Sequence, residues 1–166
     1  MTLDEFNLAP PETAAAMLLA CAAIPEWSWD IIAARPFASA DSLIEYAGAL
    51  ALRWRAKQVS NALARHPRIG ERPVGHGADA GHSRREQSAV DPADARLAAD
   101  LLEGNRRYEQ RFGQVFLIHA AGRGGHDILA RLRQRLEHSP EQEQRETALQ
   151  LRKIALSRLQ QELAPC

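Results

Sequence analysis

The sequence predicts an all-α fold, a single-domain bundle of about seven to nine helices. Three observations predict it. Apolar residues recur three and four positions apart over long segments, which is the period of a half-buried helix. Most of these segments open on a Ser, Asp or Pro start signal. The one strand-like run, Gln114-Val115-Phe116-Leu117-Ile118, is short and soon reaches Ala120-Ala121-Gly122, so it reads as an extended linker. The 166 residues match one domain, residues 1–166, able to bury roughly 70% of its unfolded surface.

Pro10-Pro11-Glu12 opens the first helix, Thr13 to Ile24, because proline at a helix start lacks only a donor that would be orphaned anyway. Pro25 ends it. Trp27, Trp29, Ile31-Ile32 and Arg35-Pro36-Phe37 follow, and their aromatics are expected to serve core and interface packing. Ser39-Ala40-Asp41-Ser42 is a cap cluster for a helix reaching about Arg65. Its buried stripe is Leu43, Ala47, Leu50, Trp54, Val59 and Leu63. Pro67 stops that helix and leaves His66 at its exit. A glycine- and histidine-rich loop spans Gly70 to Gly81. Ser83 caps the next helix, with Glu86 three positions on. Asp91-Pro92 starts another that runs to Phe112 through Leu97, Leu101 and Tyr108, and Gly113 ends it. Gly122-Arg123-Gly124-Gly125 leads into a helix from about His126 to Glu137. Ser139-Pro140-Glu141 opens the last, to about Leu163, with Ala148, Leu151, Ile154 (or Ala155) and Leu159 as its stripe.

Charge and composition exclude several function classes. Lys+Arg and Asp+Glu both number 21, and a neutral chain lacks the basic surface that a nucleic-acid partner demands. Two cysteines, Cys21 and Cys166, make no disulfide framework and point to a reducing compartment. Met1 to Glu5 is acidic, unlike a secretory signal. The longest apolar run, Ala14 to Ile24, falls short of the roughly 20 residues that cross a bilayer. Ala164-Pro165-Cys166 is not a peroxisomal address. The expectation is a soluble cytoplasmic protein with no membrane or nucleic-acid partner.

The loop after the Arg65 helix concentrates ionisable groups, and such loops on a helical scaffold usually carry function. His66 suits proton transfer. Taken alone it could simply face the helix dipole, as Glu86 could be only a capping carboxylate and Arg158 only a solvated side chain. The glycines from Gly122 to Gly125 let a ligand approach free amides at a helix start. His66, His76 and His82 share one region, but no paired-Cys or His-Glu-x-x-His spacing accompanies them, so no metal is expected. Cys21 sits in an apolar helix, where thiols are inert, and no nucleophile elbow or phosphate loop occurs. A helical binding module and a metal-dependent hydrolase stay open as alternatives.

His66-Pro67-Arg68-Ile69-Gly70-Glu71, then Ser83 with Glu86-Gln87, then Asn105-Arg106-Arg107-Tyr108-Glu109 and Phe112-Gly113 together resemble one family. It is the OHCU decarboxylases, the 2-oxo-4-hydroxy-4-carboxy-5-ureidoimidazoline decarboxylases of uric-acid breakdown. Trp27 and Arg35-Pro36-Phe37 fit the same pattern. So does the run from Ile128-Leu129 through Arg135-Leu136, Glu146, Ala148 and Ile154 to Arg158-Leu159, so the resemblance covers nearly the whole chain. It implies an all-α homodimer without a cofactor that releases carbon dioxide and forms (S)-allantoin. It also implies His66, Glu86 and Arg158 as catalytic residues. Substrate contacts would come from Pro67, Ser83, Arg84, Arg85 and Gln87, and from the backbone of Ile118, His119, Ala120, Ala121 and Gly122. The histidines of the Gly75 to Gly81 loop depart from the family pattern.

Overall fold

The computed structural model describes residues 1–70, 82 and 94–164. Among these the chain is all α, with eight helices and no strand. It forms two compact units, one of Met1–Ala62 with Leu151–Cys166, the other of Leu63–Gln150. Among the described residues no helix is long and apolar enough to cross a membrane.

In the first unit, α1 (Leu3–Leu8) precedes the helices that the sequence pattern marks. Thr2 Oγ1 accepts from the Glu5 amide and Glu5 Oε2 accepts from the Thr2 amide, a capping box that starts a short helix with Phe6 buried. α2 spans Pro11–Cys21 and α3 spans Pro25–Ala33, each with proline in its first turn. Pro25 therefore begins a helix as well as closing the preceding segment. One face of α3 buries Trp27, Ser28, Ile31 and Ile32. Trp27 Nε1 donates to the Ala47 carbonyl at 2.9 Å, and its ring meets Trp54 edge-on. Trp29, at 48% exposure, lies on the opposite face of α3, outside the core.

Arg35 gathers carbonyls at two helix ends. Its Nη1 donates to Phe6 O at 2.7 Å and Ala9 O at 2.8 Å, and its Nε donates to Ile32 O at 3.2 Å. α4 (Ala40–Ala51) is capped reciprocally by Ser39 and Ser42. The single helix expected up to Arg65 is two. After a turn at 52–55, α5 (Ala56–Leu63) restarts where the Arg55 amide donates to Gln58 Oε1 at 2.8 Å. That local cap competes with continuing α4, and Leu52 is left 71% exposed at the break.

In the second unit, α6 (Ala95–Phe112) is capped by Asp94, whose side chain accepts from the Leu97 amide at 2.9 Å. Gly113 ends it in the left-handed region, with φ 68, as a C-terminal glycine commonly does. α7 spans Gly125–Arg135. Leu97, Leu101 and Tyr108 of α6 and Ile128, Leu129 and Leu132 of α7 form a core with Ile69, Phe116, Ile118, Ala120 and Leu136. Residues 115–120 belong to no helix or strand.

α8 (Pro140–Leu163) contributes its first part to the second unit and the rest to the first. Ser139 caps it: its Oγ accepts from the Gln142 amide, and Gln142 Oε1 accepts from the Ser139 amide. The buried face carries Leu151, Ile154, Ala155 and Leu159, together with the polar Glu143, Thr147, Gln150 and Arg158. Ala148 is only half buried.

The α6–α7 contact requires Gly104. A Cβ there would stand 2.5 Å from Leu132 Cδ2 and 3.2 Å from its Cγ, and Leu132 is fully buried. Gly104→Ala should therefore destabilise the protein by about 1–2 kcal/mol, since overpacking costs more than the gain of about 1 kcal/mol from a better helix former. Thermal unfolding followed by circular dichroism reads the difference.

Candidate active site

Three segments of the second unit carry the predicted site residues. The first follows α5. The His66 amide donates to the Leu63 carbonyl at 2.9 Å. Pro67 then forbids helix continuation, having no donor and a fixed φ. His66 and Pro67 are half buried, Arg68 is exposed and Ile69 is buried. Gly70 has φ 88, a backbone that glycine adopts without strain.

Helix α6 holds this loop twice. Arg68 Nε and Nη2 donate to Glu109 Oε1 and Oε2 at 2.5 and 3.0 Å, the two-pronged geometry that makes guanidinium–carboxylate pairs directional. Asn105 Nδ2 donates to the Ile69 carbonyl at 2.9 Å. Asn105 is buried, and among the described residues its Oδ1 has no partner.

The second segment is the extended run before α7. The Leu117 carbonyl accepts from Arg135 Nη1 at 2.6 Å, and the His119 amide donates to Gln150 Oε1 at 2.9 Å. Gln150 is itself oriented by donating from Nε2 to Glu146 Oε1 at 2.7 Å. Arg123 closes the following turn, its amide donating to Ala120 O and its Nε to His119 O. Gly122 takes φ 76 in that turn. The His119 N–H is thus engaged within the protein. Among the described residues the amides of Ile118, Ala120, Ala121 and Gly122 show no such partner; Ile118 and Ala120 are buried, whereas Ala121 and Gly122 are exposed.

The glycines around Gly122 to Gly125 serve different ends. Gly122 makes the turn. A Cβ on Gly125 would stand 2.5 Å from Leu97 Cδ2, so that position is glycine for packing. At Gly124 an added Cβ meets nothing within 4 Å.

Behind the second segment lies a buried polar cluster that hydrophobic spacing does not reveal. Glu143 Oε1 accepts from the Tyr108 hydroxyl and from Arg135 Nε and Nη2, and Glu143 Oε2 meets His138 Nδ1 at 3.0 Å. The Arg135 guanidinium also stacks over the Phe116 ring, 4.6 Å from its centroid. Burial, reinforced by the hydrogen bond to Glu143, pushes the Tyr108 hydroxyl up to about 12. One signal for this cluster was available. Glu143, Thr147 and Gln150 continue, at helical spacing, the stripe that begins at Leu151.

The third segment, Ser83, Arg84, Arg85, Glu86 and Gln87, lies outside the described residues, as does His76. His82 is buried. Arg158 belongs to the first unit and is buried rather than solvated, with Nη1 donating to the Ala20 carbonyl at 3.2 Å. The geometry therefore brings His66, Pro67 and the Ile118–Gly122 segment into one compact unit.

A sequence model of the family described as OHCU decarboxylase matches residues 7–160. The 2-oxo-4-hydroxy-4-carboxy-5-ureidoimidazoline decarboxylase of Amia calva is 36% identical over 97 residues, covering 57% of this chain and 55% of the relative. The match thus spans about half of that relative's length. A crystal structure of OHCU decarboxylase in the presence of (S)-allantoin is similar with a TM-score of 0.77 and 22% identity, covering 90% of this chain and 99% of the other. A crystal structure of (S)-allantoin synthase is similar with a TM-score of 0.72 and 20% identity, covering 99% of this chain and 54% of the other. These two likenesses establish the fold. The family match across residues 7–160, joined to the motif around His66, establishes that the chain belongs to the OHCU decarboxylase family.

Proposed function

We propose that the protein decarboxylates 2-oxo-4-hydroxy-4-carboxy-5-ureidoimidazoline to (S)-allantoin and carbon dioxide without a cofactor. Family membership supports the reaction, and the relative from Amia calva is named for it. The observation that carries the reading is the loop bearing His66, held at two consecutive residues by α6. A loop so held can present an imidazole in one orientation.

The chemistry explains why a histidine without a cofactor suffices. Decarboxylation leaves an electron pair that needs a sink, and in this substrate the carbon losing carbon dioxide adjoins a ring imine. The pair from the broken C–C bond passes to the ring nitrogen. That nitrogen takes a proton from solvent, the hydroxyl gives up its proton as its carbon becomes a carbonyl, and the neighbouring ring carbon gains one. His66 takes the hydroxyl proton or returns a proton to the ring, and Glu86 holds the imidazole or a ring N–H. Proton transfer by a positioned group contributes about 10²–10⁴ in rate.

Backbone amides of the Ile118 to Gly122 segment meet a substrate carbonyl, and Pro67 and the residues from Ser83 to Gln87 line the ring. Arg158 serves a ureido or ring carbonyl oxygen. On the departing carboxylate it would stabilise the ground state, which opposes rate. Delivery of the proton to one face yields a single enantiomer. The protein acts as a cytoplasmic homodimer in this reading.

The test mixes the protein with intermediates freshly generated by uricase and follows ultraviolet absorbance and circular dichroism. Fast decay of the substrate signal, chiral product and indifference to chelators are expected. No turnover would leave a binding module, and loss on chelation would point to a metal-dependent hydrolase.

A further inference from the structure

We propose that Asn105 is a positioning residue for this reaction: together with Glu109 it clamps the His66–Gly70 loop onto α6 and fixes where the imidazole stands. The proposal rests on the decarboxylase reading only for its turnover measurement.

Two features of the loop make the clamp effective. The anchors fall on Arg68 and Ile69, consecutive residues close after His66. The link between anchors and histidine is Pro67, whose φ is locked and which confines the backbone of the residue before it. Constraint at Ile69 therefore reaches His66 through a short stiff segment, while the His66 amide is fixed from the other side by the Leu63 carbonyl.

Asn105 also differs from what stability alone would choose. It sits in the core between Leu101 and Tyr108, the adjacent buried turns of α6. Its Nδ2 reaches the Ile69 carbonyl, while its Oδ1 is buried with no partner among the described residues. A buried acceptor without a donor is costly, and leucine of similar size would avoid that and favour the helix. What asparagine supplies and leucine does not is a directional donor onto the loop. Glu109 adds the second anchor one turn further along, with both oxygens on Arg68.

A structural role and a positioning role separate in Asn105→Leu. The variant loses the donor to Ile69 but also removes the orphaned oxygen, so the melting temperature is expected to stay within a few degrees of the parent protein. Misplacement of a reacting group by even about 1 Å lowers rates strongly. So kcat is expected to fall about tenfold or more, with KM changed by less than about threefold. The His66 imidazole, assigned by its absence in His66→Ala, should titrate differently by NMR in Asn105→Leu. Glu109→Gln, at a partly exposed site that will not disturb folding, should lower kcat by a smaller factor in the same direction.

A parental kcat in Asn105→Leu with a superimposable imidazole titration overturns the proposal. So does a kcat loss matched by loss of folded protein. If the unmodified protein fails to turn the substrate over, the decarboxylase reading falls, and the imidazole titration alone decides whether the clamp exists.

Discussion

His66→Ala should lose about 10²–10⁴ of the decarboxylation rate while keeping its melting temperature to within a degree or two, as surface-loop truncations usually do. The side chain is half buried at a helix exit, and the loop backbone has anchors of its own. Its amide donates to Leu63 O, and Arg68 and Ile69 hold the loop from α6. Those bonds survive truncation, so the site keeps its shape and lacks only its proton carrier.

Two measurements make the expectation specific. Ultraviolet decay of freshly generated substrate in the variant should approach the rate without protein. The product should lose its circular dichroism, because protonation is then left to solvent on either face. The limb of the pH–rate profile that the imidazole imposes should vanish with it. Substrate consumption at the parental rate would remove His66 from the mechanism. A racemic product from the parent protein would remove the single-face proton delivery.

How much of this was legible in the sequence depended on whether the deciding interaction was local. Helix α6 was readable because Leu97, Leu101 and Tyr108 mark one face and Gly113 must take a positive φ to end it. Pro67 and Gly70 likewise announced a loop by their own backbone chemistry. Helix α1 escaped notice because six residues carry too little periodicity, and its signal is the reciprocal bond between Thr2 and Glu5. The break between α4 and α5 was hidden because the apolar stripe carries on across it, while a single side chain, Gln58, restarts the helix. Trp29 carried an expectation of core or interface packing that pattern alone could not divide, and it stands outside the core. Its neighbour Trp27, on the face toward Ala47 and Trp54, takes the place inside it.

In the candidate site, His66 and the Ile118–Gly122 segment were visible as residues, but what holds them was not. Asn105 and Glu109 reach back 36 and 41 positions to Ile69 and Arg68. Arg135 reaches back 18 to Leu117. Pattern spacing reports which face is buried. It does not report which polar side chain on that face meets which carbonyl.

The largest expected loss of stability comes from that invisible layer. Glu143→Ala should lower stability by about 3–5 kcal/mol, the cost of leaving a buried charge without its partner. For a chain of this size that is a fall of roughly 10 °C in Tm. Glu143 and Arg135 are both nearly inaccessible, 1% and 4% exposed. The carboxylate is the acceptor for Arg135 Nε and Nη2 and for the Tyr108 hydroxyl, and it faces His138. Removing it strands the guanidinium, whose other oxygen contacts among the described residues are the Leu117 carbonyl and the Thr147 hydroxyl. Glu143→Gln should lose less, because an amide oxygen can still accept.

Tyr108 supplies an independent reading of the same cluster. Its hydroxyl is pushed up to about 12 by burial and then by the bond to Glu143, against about 10 in an unfolded chain. Between those values the folded state keeps a proton that the unfolded state has lost. Stability therefore declines as pH rises from about 10 to 12, by about 2–3 kcal/mol in all. In Glu143→Ala the hydroxyl loses an acceptor that favours its protonated form and faces a guanidinium that favours tyrosinate. Its ultraviolet titration should move to lower pH, and the alkaline loss of stability should shrink. A Tm within about 3 °C of the parent, with an unmoved tyrosine titration, would mean that the carboxylate is not what offsets burial of the Arg135 guanidinium. The Leu117 carbonyl would then owe its position to the backbone alone.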